Sequence, residues 1–256
     1  MTYLLAILAF VFGAIMMSFF GLVIDRLPRK ESIINPPSHC TSCNHKLSWY
    51  DNIPIISFIL LKGKCRYCQK RIGLFSFFYE LIGEMVFAFI VLRFKVSFDT
   101  LFLLIIFLIL LFIAGYDYFT YEVLDLSWIS LLIVTIIYCI YLVLVKEASY
   151  LNLIIGGAIG LIFFGTIKFF SKLITKKDCL GGGDVIVMAI SGLFLGWYGI
   201  VFAIFVGSLV GSIIEVIKLK ITKEEKMIPF TPYLVLGIFF ATIFTEMIMD
   251  FIIKLM

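Results

Sequence analysis

The chain has 256 residues, of which 62% are hydrophobic and only 15% are charged, and its formal net charge is +4. Soluble domains carry roughly 45–50% apolar and about 25% charged residues, so this composition excludes a soluble domain and indicates a polytopic membrane protein. The basic residues lie between apolar segments, which argues against nucleic acid as a partner and makes the lipid bilayer the surroundings of most of the chain.

Eight apolar segments are predicted to be transmembrane helices. A helix needs about 20 apolar residues to cross the hydrocarbon core, and shorter segments are tolerated where helices pack together. In chain order, the predicted spans are 3–24, 77–92, 99–116, 127–145, 151–171, 184–197, 200–217 and 231–252. No Lys or Arg precedes the first span and no small-residue cleavage pattern follows it, so it is expected to be retained. The predicted fold class is an all-α polytopic membrane protein.

The basic residues predict how the chain is oriented in the membrane. If the N-terminus lies outside, most Lys and Arg residues fall in cytoplasmic segments, and the outer segments hold only Arg93, Lys95, Lys146 and Lys254. Positive charge is favoured on the cytoplasmic side, so this orientation is the predicted one. It makes residues 25–76 one long cytoplasmic loop. The predicted domains are then a first transmembrane helix at 1–24, this loop at 25–76 and a transmembrane domain at 77–256.

The cytoplasmic loop contains two C-x2-C motifs. They are "CTSC" and "CRYC", and their cysteines are Cys40, Cys43, Cys65 and Cys68. Four thiolates can surround Zn²⁺ tetrahedrally, and a segment too small to build a core gains folding energy from such a metal. Disulfides are disfavoured because the loop faces a reducing cytoplasm. His39 and His45 flank the first pair and could replace a cysteine, but four sulfurs already complete a closed, structural site.

Two aspartates lie at the ends of predicted spans. Asp117 ends the third span in "LFIAGYDYFTYEVLD", and Asp184 begins the sixth in "GGGDVIV". Two complete spans separate them, so both are expected on the cytoplasmic side. Aspartic peptidases need two such carboxyls, because an ionised one takes a proton from water while a protonated one donates to the substrate carbonyl. The glycines at 181–183 would let an extended substrate backbone approach.

Structural roles are the alternative for these acidic residues. Asp184 could be the N-cap of its helix, and Asp117 could simply be the first polar residue after a span. For Asp125 an N-cap role is the preferred interpretation. Glu80 and Glu84 share one face of a helix, where they either contact a substrate or face a polar interior. "GGGD" lacks the Lys-Ser/Thr of a phosphate-binding loop, which excludes that reading.

The cysteines and aspartates belong to a series of motifs that extends over most of the chain. The motifs are "MSFFGLVIDRLP" at 17–28, "PPSHCTSC" at 36–43, "DNIPIISFILLKGKCRYC" at 51–68, "FFYELIG" at 77–83, "YDYFTYEVLD" at 116–125, "GGGDV" at 181–185 and "PFTPYLVLG" at 229–237. In this order they resemble the type IV prepilin peptidases, which are membrane aspartic peptidases of the GxGD type.

The chain departs from the family pattern at five positions. Met17 and Gly21 replace the usual Gly and Asn, and Leu124 replaces a Pro. Ile186 stands where a Lys often follows the second catalytic Asp, and Thr231 stands where a Gly is usual. None of these changes removes a cysteine or a candidate catalytic carboxyl.

The resemblance implies an enzyme of the bacterial cytoplasmic membrane that cleaves the short basic leader from type IV prepilins or pseudopilins at the cytoplasmic face. It implies Asp117 and Asp184 as the catalytic pair. Many members of the family also transfer a methyl group from S-adenosylmethionine to the new N-terminus, and this second activity is expected from the resemblance alone.

Three other functions compete with this hypothesis. A presenilin-like or signal-peptide-peptidase-like protease also pairs a YD with a GxGD motif, but it would lack the cysteine loop and carry a PAL sequence near the last span. A proton-coupled transporter would use intramembrane acids as relays, usually near the bilayer midplane. A non-enzymatic scaffold would recruit partners through the zinc loop.

Overall fold

The structure is a computed structural model that describes residues 2–176, 180–222 and 228–255, without the side chains at 175, 222 and 245–255. Within these residues helices are joined by loops, and two isolated β-bridges link His39 to Lys46 and Lys64 to Arg71. The predicted all-α fold class is confirmed.

Eight α-helices and a short 3-10 helix follow one another along the described chain. The α-helices are α1 (Thr2–Arg26), α2 (Ile56–Leu60), α3 (Leu74–Phe94), α4 (Phe98–Thr120), α5 (Asp125–Val145), α6 (Tyr150–Thr175), α7 (Gly182–Thr222) and α8 (Thr231–Leu255), and the 3-10 helix is Trp49–Asn52. Among the described residues, α1 and α3 to α7 are the 6 helices that are long and apolar enough to cross a membrane, and α8 contributes the shorter apolar stretch Thr231–Phe244.

Every predicted span falls on one of these helices, but the spans 184–197 and 200–217 share α7. At 41 residues, α7 is about twice as long as a single crossing needs. It is interrupted at Gly196, whose φ of 69° and ψ of −179° are not helical. Asn152 of α6 accepts the backbone N–H of Trp197 there, at 3.2 Å, and fills the space that a Cβ atom on Gly196 would need. The predicted division at "GWYG" therefore corresponds to this interruption.

The first compact unit of the chain, Met1–Thr100, contains α1, the cysteine loop and α3. The two long helices approach closely at a pair of glycines, since a Cβ atom on Gly13 would lie 2.9 Å from the carbonyl oxygen of Gly83. Met17, which is fully buried, fills the space over Gly83. Small residues at such a crossing let two membrane helices pack backbone against backbone.

The second unit, Leu101–Met256, is built around α7, which packs against both α6 and α8. Glycines make the contacts close on both sides. A Cβ atom on Gly156 of α6 would lie 2.3 Å from the carbonyl oxygen of Gly192, and one on Gly237 of α8 would lie 2.2 Å from that of Ala203. This packing places the start of α7 beside α6 and beside the start of α8.

Candidate active site

The first unit brings the four loop cysteines together. Their sulfur atoms all lie within 4.8 Å of one another, and those of Cys40 and Cys68 are 3.8 Å apart. Four sulfurs bound at about 2.3 Å around a zinc ion lie about 3.8 Å from one another in a tetrahedron. The donor set and its spacing therefore fit the predicted zinc site.

The two cysteine motifs have the same backbone conformation. The first cysteine of each donates its N–H to a carbonyl five residues ahead, from Cys40 to His45 at 3.0 Å and from Cys65 to Lys70 at 2.9 Å. The residue before each acceptor, Asn44 or Gln69, has a positive φ and donates its own N–H back to the cysteine carbonyl. These equivalent turns present both sulfurs of each motif to the same point.

Neither flanking histidine belongs to the cluster that the four cysteines form among the described residues. The ring of His45 lies 3.6 Å from the ring of Tyr67, and Nδ1 of His39 is 3.1 Å from the carbonyl oxygen of Pro37. The structure therefore groups the four sulfurs without a histidine substitute.

Asp51 connects the middle of the loop to the second cysteine motif. Its side chain is 2% exposed and accepts hydrogen bonds from Arg66 Nε at 2.8 Å, from the N–H of Ser48 at 3.2 Å and from the hydroxyl of Tyr67 at 3.4 Å. Burial of this carboxyl raises its pKa, but the hydrogen bonds outweigh burial and hold the pKa of Asp51 below its ordinary value. Asp51 is therefore held ionised and stabilises the loop.

Replacing Asp51 by Asn is expected to lower the free energy of local unfolding around the second cysteine motif by about 1–2 kcal/mol, allowing for the solvent exposure of Arg66. Because the folded-state pKa lies below the unfolded value of about 3.9, this stabilisation is present above that pH and is lost as the pH falls through the folded-state pKa. Hydrogen exchange at residues 63–72 measures it, and amides there should exchange roughly tenfold faster at pH 7 in the variant.

The matched control is Asp25→Asn, which breaks the ion pair with Arg29 at an exposed position. Such surface pairs contribute little, so exchange in this variant should match the unmodified chain. Equal exchange in the Asp51 variant and the unmodified chain would show that Asp51 has no role in the loop.

The first unit also buries charged side chains outside the cysteine cluster. Arg26, 5% exposed, donates to the carbonyl oxygens of Ser32 at 2.8 Å and Ile33 at 3.3 Å, and so holds the start of the loop. Glu80 accepts the backbone N–H of Ile55 at 3.0 Å. Of the two interpretations of this glutamate, the contact favours a polar interior over an exposed substrate contact.

The second unit places Asp117 and Asp184 side by side. Asp117 lies in the last turn of α4 and Asp184 in the first turn of α7. They are 5% and 6% exposed, and their charges act on each other. Two carboxyls in such a setting do not both ionise readily, because each negative charge disfavours the other and burial disfavours both. A shared proton is the condition that acid–base catalysis by a carboxyl pair requires.

Thr231, the first residue of α8, joins the two carboxyls. Its hydroxyl donates to Oδ1 of Asp184 at 2.6 Å. The hydroxyl and the backbone N–H of Thr231 also lie within hydrogen-bonding reach of the carboxyl of Asp117. Thr231 is fully buried. The position was visible in the sequence only as a departure from the family motif, and no local pattern predicts that it lies between the two aspartates.

Gly183 allows the end of α4 and the start of α7 to meet. A Cβ atom on Gly183 would lie 2.2 Å from Cγ2 and 2.4 Å from Cβ of Val123, which follows α4. Any side chain here would therefore push apart the segments that carry Asp117 and Asp184. The second glycine of this motif, Gly182, faces Nζ of Lys168, 2.9 Å from where its Cβ would lie.

The helix-cap interpretations have different outcomes for the two aspartates concerned. Asp184 lies within α7 instead of at its N-cap, although its carboxyl accepts a hydrogen bond from the backbone of Gly181, just before the helix. The N-cap prediction for Asp125 is wrong. Asp125 is the first residue of α5, Leu124 is the cap, and the carboxylate of Asp125 accepts the indole N–H of Trp128 at 3.0 Å.

Two family models match the chain in sequence order. The bacterial peptidase A24 N-terminal domain matches residues 11–94, which include all four loop cysteines. The type IV leader peptidase family matches residues 102–216, which include Asp117 and Asp184. The boundary between the two matches lies close to the boundary between the two compact units.

Curated relatives with the same name are found in several bacteria. The chain is 31% identical to the prepilin leader peptidase/N-methyltransferase of Bacillus subtilis, over 96% of this chain and 97% of that protein. It is 30% identical to the protein of that name from Vibrio cholerae, over 77% and 79% of the two chains. A Myxococcus xanthus relative is 28% identical over 86% of this chain, which spans 64% of the relative's length. No solved structure matches the chain. Together with the two family models, the nearly end-to-end match to the Bacillus subtilis protein shows that the chain belongs to the type IV leader peptidases, the prepilin peptidase family.

Proposed function

We propose that this chain is an aspartic endopeptidase that removes the leader from type IV prepilins or pseudopilins at the cytoplasmic face of the bacterial inner membrane. The observation that carries the proposal is the pairing of Asp117 and Asp184, two buried carboxyls from separate helices with Thr231 between them. Family membership supports the substrate class. The excess of basic residues in the loops predicted from span parity to lie on the same side as both aspartates supports the cytoplasmic face.

The reaction that the pair can perform is peptide hydrolysis by general acid–base catalysis. The ionised carboxyl takes a proton from water, whose oxygen attacks the scissile carbonyl carbon, while the protonated carboxyl donates its proton to the carbonyl oxygen. In the resulting gem-diol, one hydroxyl returns a proton to the carboxyl that was protonated at the start. The carboxyl that took the proton from water then protonates the amide nitrogen as the C–N bond breaks, which restores the starting charge of the pair.

The experiment is incubation of the purified full chain in detergent with a candidate prepilin, followed by mass spectrometry of the product's N-terminus. The proposal predicts a single cut just before the hydrophobic segment of the prepilin. Parallel samples with and without S-adenosylmethionine show whether the new N-terminus gains a methyl group.

We propose that the cysteine loop holds a structural Zn²⁺ through Cys40, Cys43, Cys65 and Cys68, with no catalytic role. The equivalent turns of the two motifs and the spacing of the sulfurs support this. A metal bound by four thiolates stabilises a small loop and has no open position for a substrate. We also propose that the chain is divided into a first transmembrane helix at 1–24, the cysteine loop at 25–76 and a transmembrane domain at 77–256.

Replacing Cys43 by Ser is expected to abolish zinc binding by the purified chain and to make the loop sensitive to proteases, because the metal supplies much of the loop's folding energy. Elemental analysis of the purified protein measures the first effect, and limited proteolysis measures the second. The control is Cys139→Ser in α5, a cysteine whose thiol donates to the carbonyl of Leu193 instead of joining the cluster. Equal zinc content in both variants would contradict the site.

Methylation of the new N-terminus by S-adenosylmethionine is proposed on the relatives' names alone, which include N-methyltransferase. A cavity of about 360 Å³ beside α5 and α6 does not fit this charged methyl donor, because apolar side chains such as Ile136, Val143 and Leu153 form most of its wall.

A further inference from the structure

The two carboxyls of the candidate site have different surroundings. Asp184 accepts the hydroxyl of Thr231 at 2.6 Å and a hydrogen bond from the backbone of Gly181. Asp184 also lies in the first turn of α7, where the unpaired N–H groups and the helix dipole favour negative charge. Each of these features stabilises a carboxylate more than a neutral carboxyl.

The surroundings of Asp117 are less favourable to a carboxylate, although the hydroxyl and backbone N–H of Thr231 also act on this carboxyl. Its Oδ2 is buried and has no hydrogen-bond partner among the described residues. It lies in the last turn of α4, where the exposed carbonyls of the helix end disfavour negative charge. An ionised oxygen without a donor is costly to bury, whereas an O–H at the same place can donate to a ligand.

A positively charged side chain also distinguishes the surroundings of the two carboxyls. Lys168 of α6 directs its ammonium group to the start of α7, 2.9 Å from the position of a Cβ atom on Gly182, and its charge acts on Asp184. An ammonium group beside a helix N-terminus is unfavourable unless a carboxylate accompanies it. Asp184 is the acidic residue of that first turn, so the ionised form of Asp184 accounts for the position of Lys168.

The structure assigns unequal roles to the pair: Asp184 is the ionised residue that activates water, Asp117 is the protonated residue that donates to the substrate carbonyl, and Lys168 and Thr231 are positioning residues that maintain this division. The assignment rests on the proposed peptidase function. Among the described residues, the groups that face Asp184 from the helices packed around it are Lys168 from α6, Asp117 from α4 and Thr231 from α8.

The assignment completes the proton path. Asp184 takes the proton from water, and Asp117 gives its proton to the carbonyl oxygen from the oxygen that no described donor occupies. When the gem-diol collapses, Asp117 recovers a proton from one hydroxyl and Asp184 passes its proton to the leaving nitrogen.

The test is the pH dependence of kcat/KM for prepilin cleavage by the full chain with Lys168→Met or Lys168→Arg. Removal of the cation disfavours ionised Asp184, so the acidic limb of the Lys168→Met profile should move to higher pH by about one unit. Lys168→Arg keeps the positive charge, so the acidic limb of its profile should stay at the pH of the unmodified chain. Lys172→Met is the control, since Lys172 is exposed and lies one turn further along α6.

Thermal unfolding gives a second readout that does not depend on activity. Asn mimics a neutral carboxyl, so Asp117→Asn should unfold at about the same temperature as the unmodified chain or higher. Asp184→Asn should unfold at a lower temperature, because it leaves Lys168 at a helix N-terminus without its counter-ion. If Lys168→Met does not fold, Thr231→Val and Thr231→Ser provide the kinetic comparison, and only the Val variant should shift the acidic limb upward.

Failure of this inference is distinguishable from failure of the proposed function. An active unmodified chain with an unshifted acidic limb in Lys168→Met, or a lower unfolding temperature for Asp117→Asn than for Asp184→Asn, would overturn the assignment and leave the peptidase intact. An unmodified chain that cleaves no prepilin, or cleavage by both Asn variants, would overturn the peptidase itself.

Discussion

Replacing either Asp117 or Asp184 by Asn is expected to reduce leader cleavage by at least about three orders of magnitude while the protein still folds. Asn keeps the shape of the side chain but can neither take a proton from water nor supply one to the substrate carbonyl. Each carboxyl performs a separate proton transfer, so loss of either one stops the cycle. The rate of prepilin cleavage by purified variants in detergent measures the effect, and circular dichroism with size-exclusion chromatography verifies folding.

Asp125→Asn is the control for this pair of variants. The same chemical change then falls on an exposed aspartate, whose carboxylate contacts the indole of Trp128 and lies outside the candidate site. Cleavage by this variant should equal that of the unmodified chain. Loss of cleavage in all three variants would indicate a general effect of the substitution instead of a catalytic pair.

Replacing Gly183 by Ala is expected to lower cleavage by roughly 10- to 100-fold, because it displaces the two aspartates relative to each other. The added methyl group would overlap Val123, with 2.4 Å between the two Cβ atoms. Overpacking of this kind also destabilises a fold by about 1–3 kcal/mol, so the unfolding temperature should fall. Cleavage kinetics and thermal unfolding of the purified variant measure the two effects.

Two further variants isolate the cause. Gly165→Ala in α6 adds a methyl group where no atom lies within 4 Å, and it should leave both properties unchanged. In the double variant Gly183→Ala with Val123→Gly, the overlap is removed and cleavage should recover. If the double variant is as impaired as Gly183→Ala alone, contact with Val123 is not the reason for this glycine.

The transmembrane organisation was predictable because the membrane imposes a simple rule on length and hydropathy. All predicted spans fall on helices, and the division at "GWYG" is marked by Gly196. The parity of the spans predicts that Asp117 and Asp184 lie on one side of the membrane, and the structure brings them together. Their catalytic role and the orientation of the chain stay predictions.

The surroundings of the carboxyl pair were not predictable, because they depend on how distant helices pack. Lys168 lies inside a predicted apolar span, and the sequence pattern there indicates only that this residue is part of a helix. Its ammonium group lies beside the start of α7 because glycines on α6 and α7 let these helices approach closely. Thr231 follows Asp184 by 47 positions in the chain, and their hydrogen bond requires α8 to begin beside the start of α7.

The cysteine loop shows the same contrast. Its four candidate metal ligands follow from spacing alone, since two C-x2-C motifs in a short loop have few other uses. The roles of Asp51 and Arg26 could not be predicted from residue spacing, because their partners are backbone carbonyls, an N–H and side chains in other parts of the loop. Burial of an ionised side chain and its hydrogen bonds becomes visible only in three dimensions.

The most direct measurement is the mass of a prepilin's N-terminus after incubation with the unmodified chain, with Asp117→Asn and with Asp184→Asn, purified side by side. The unmodified chain should remove the leader by one cut before the hydrophobic segment, and neither variant should do so. An intact leader in every sample, or normal removal by both variants, would contradict the proposed function.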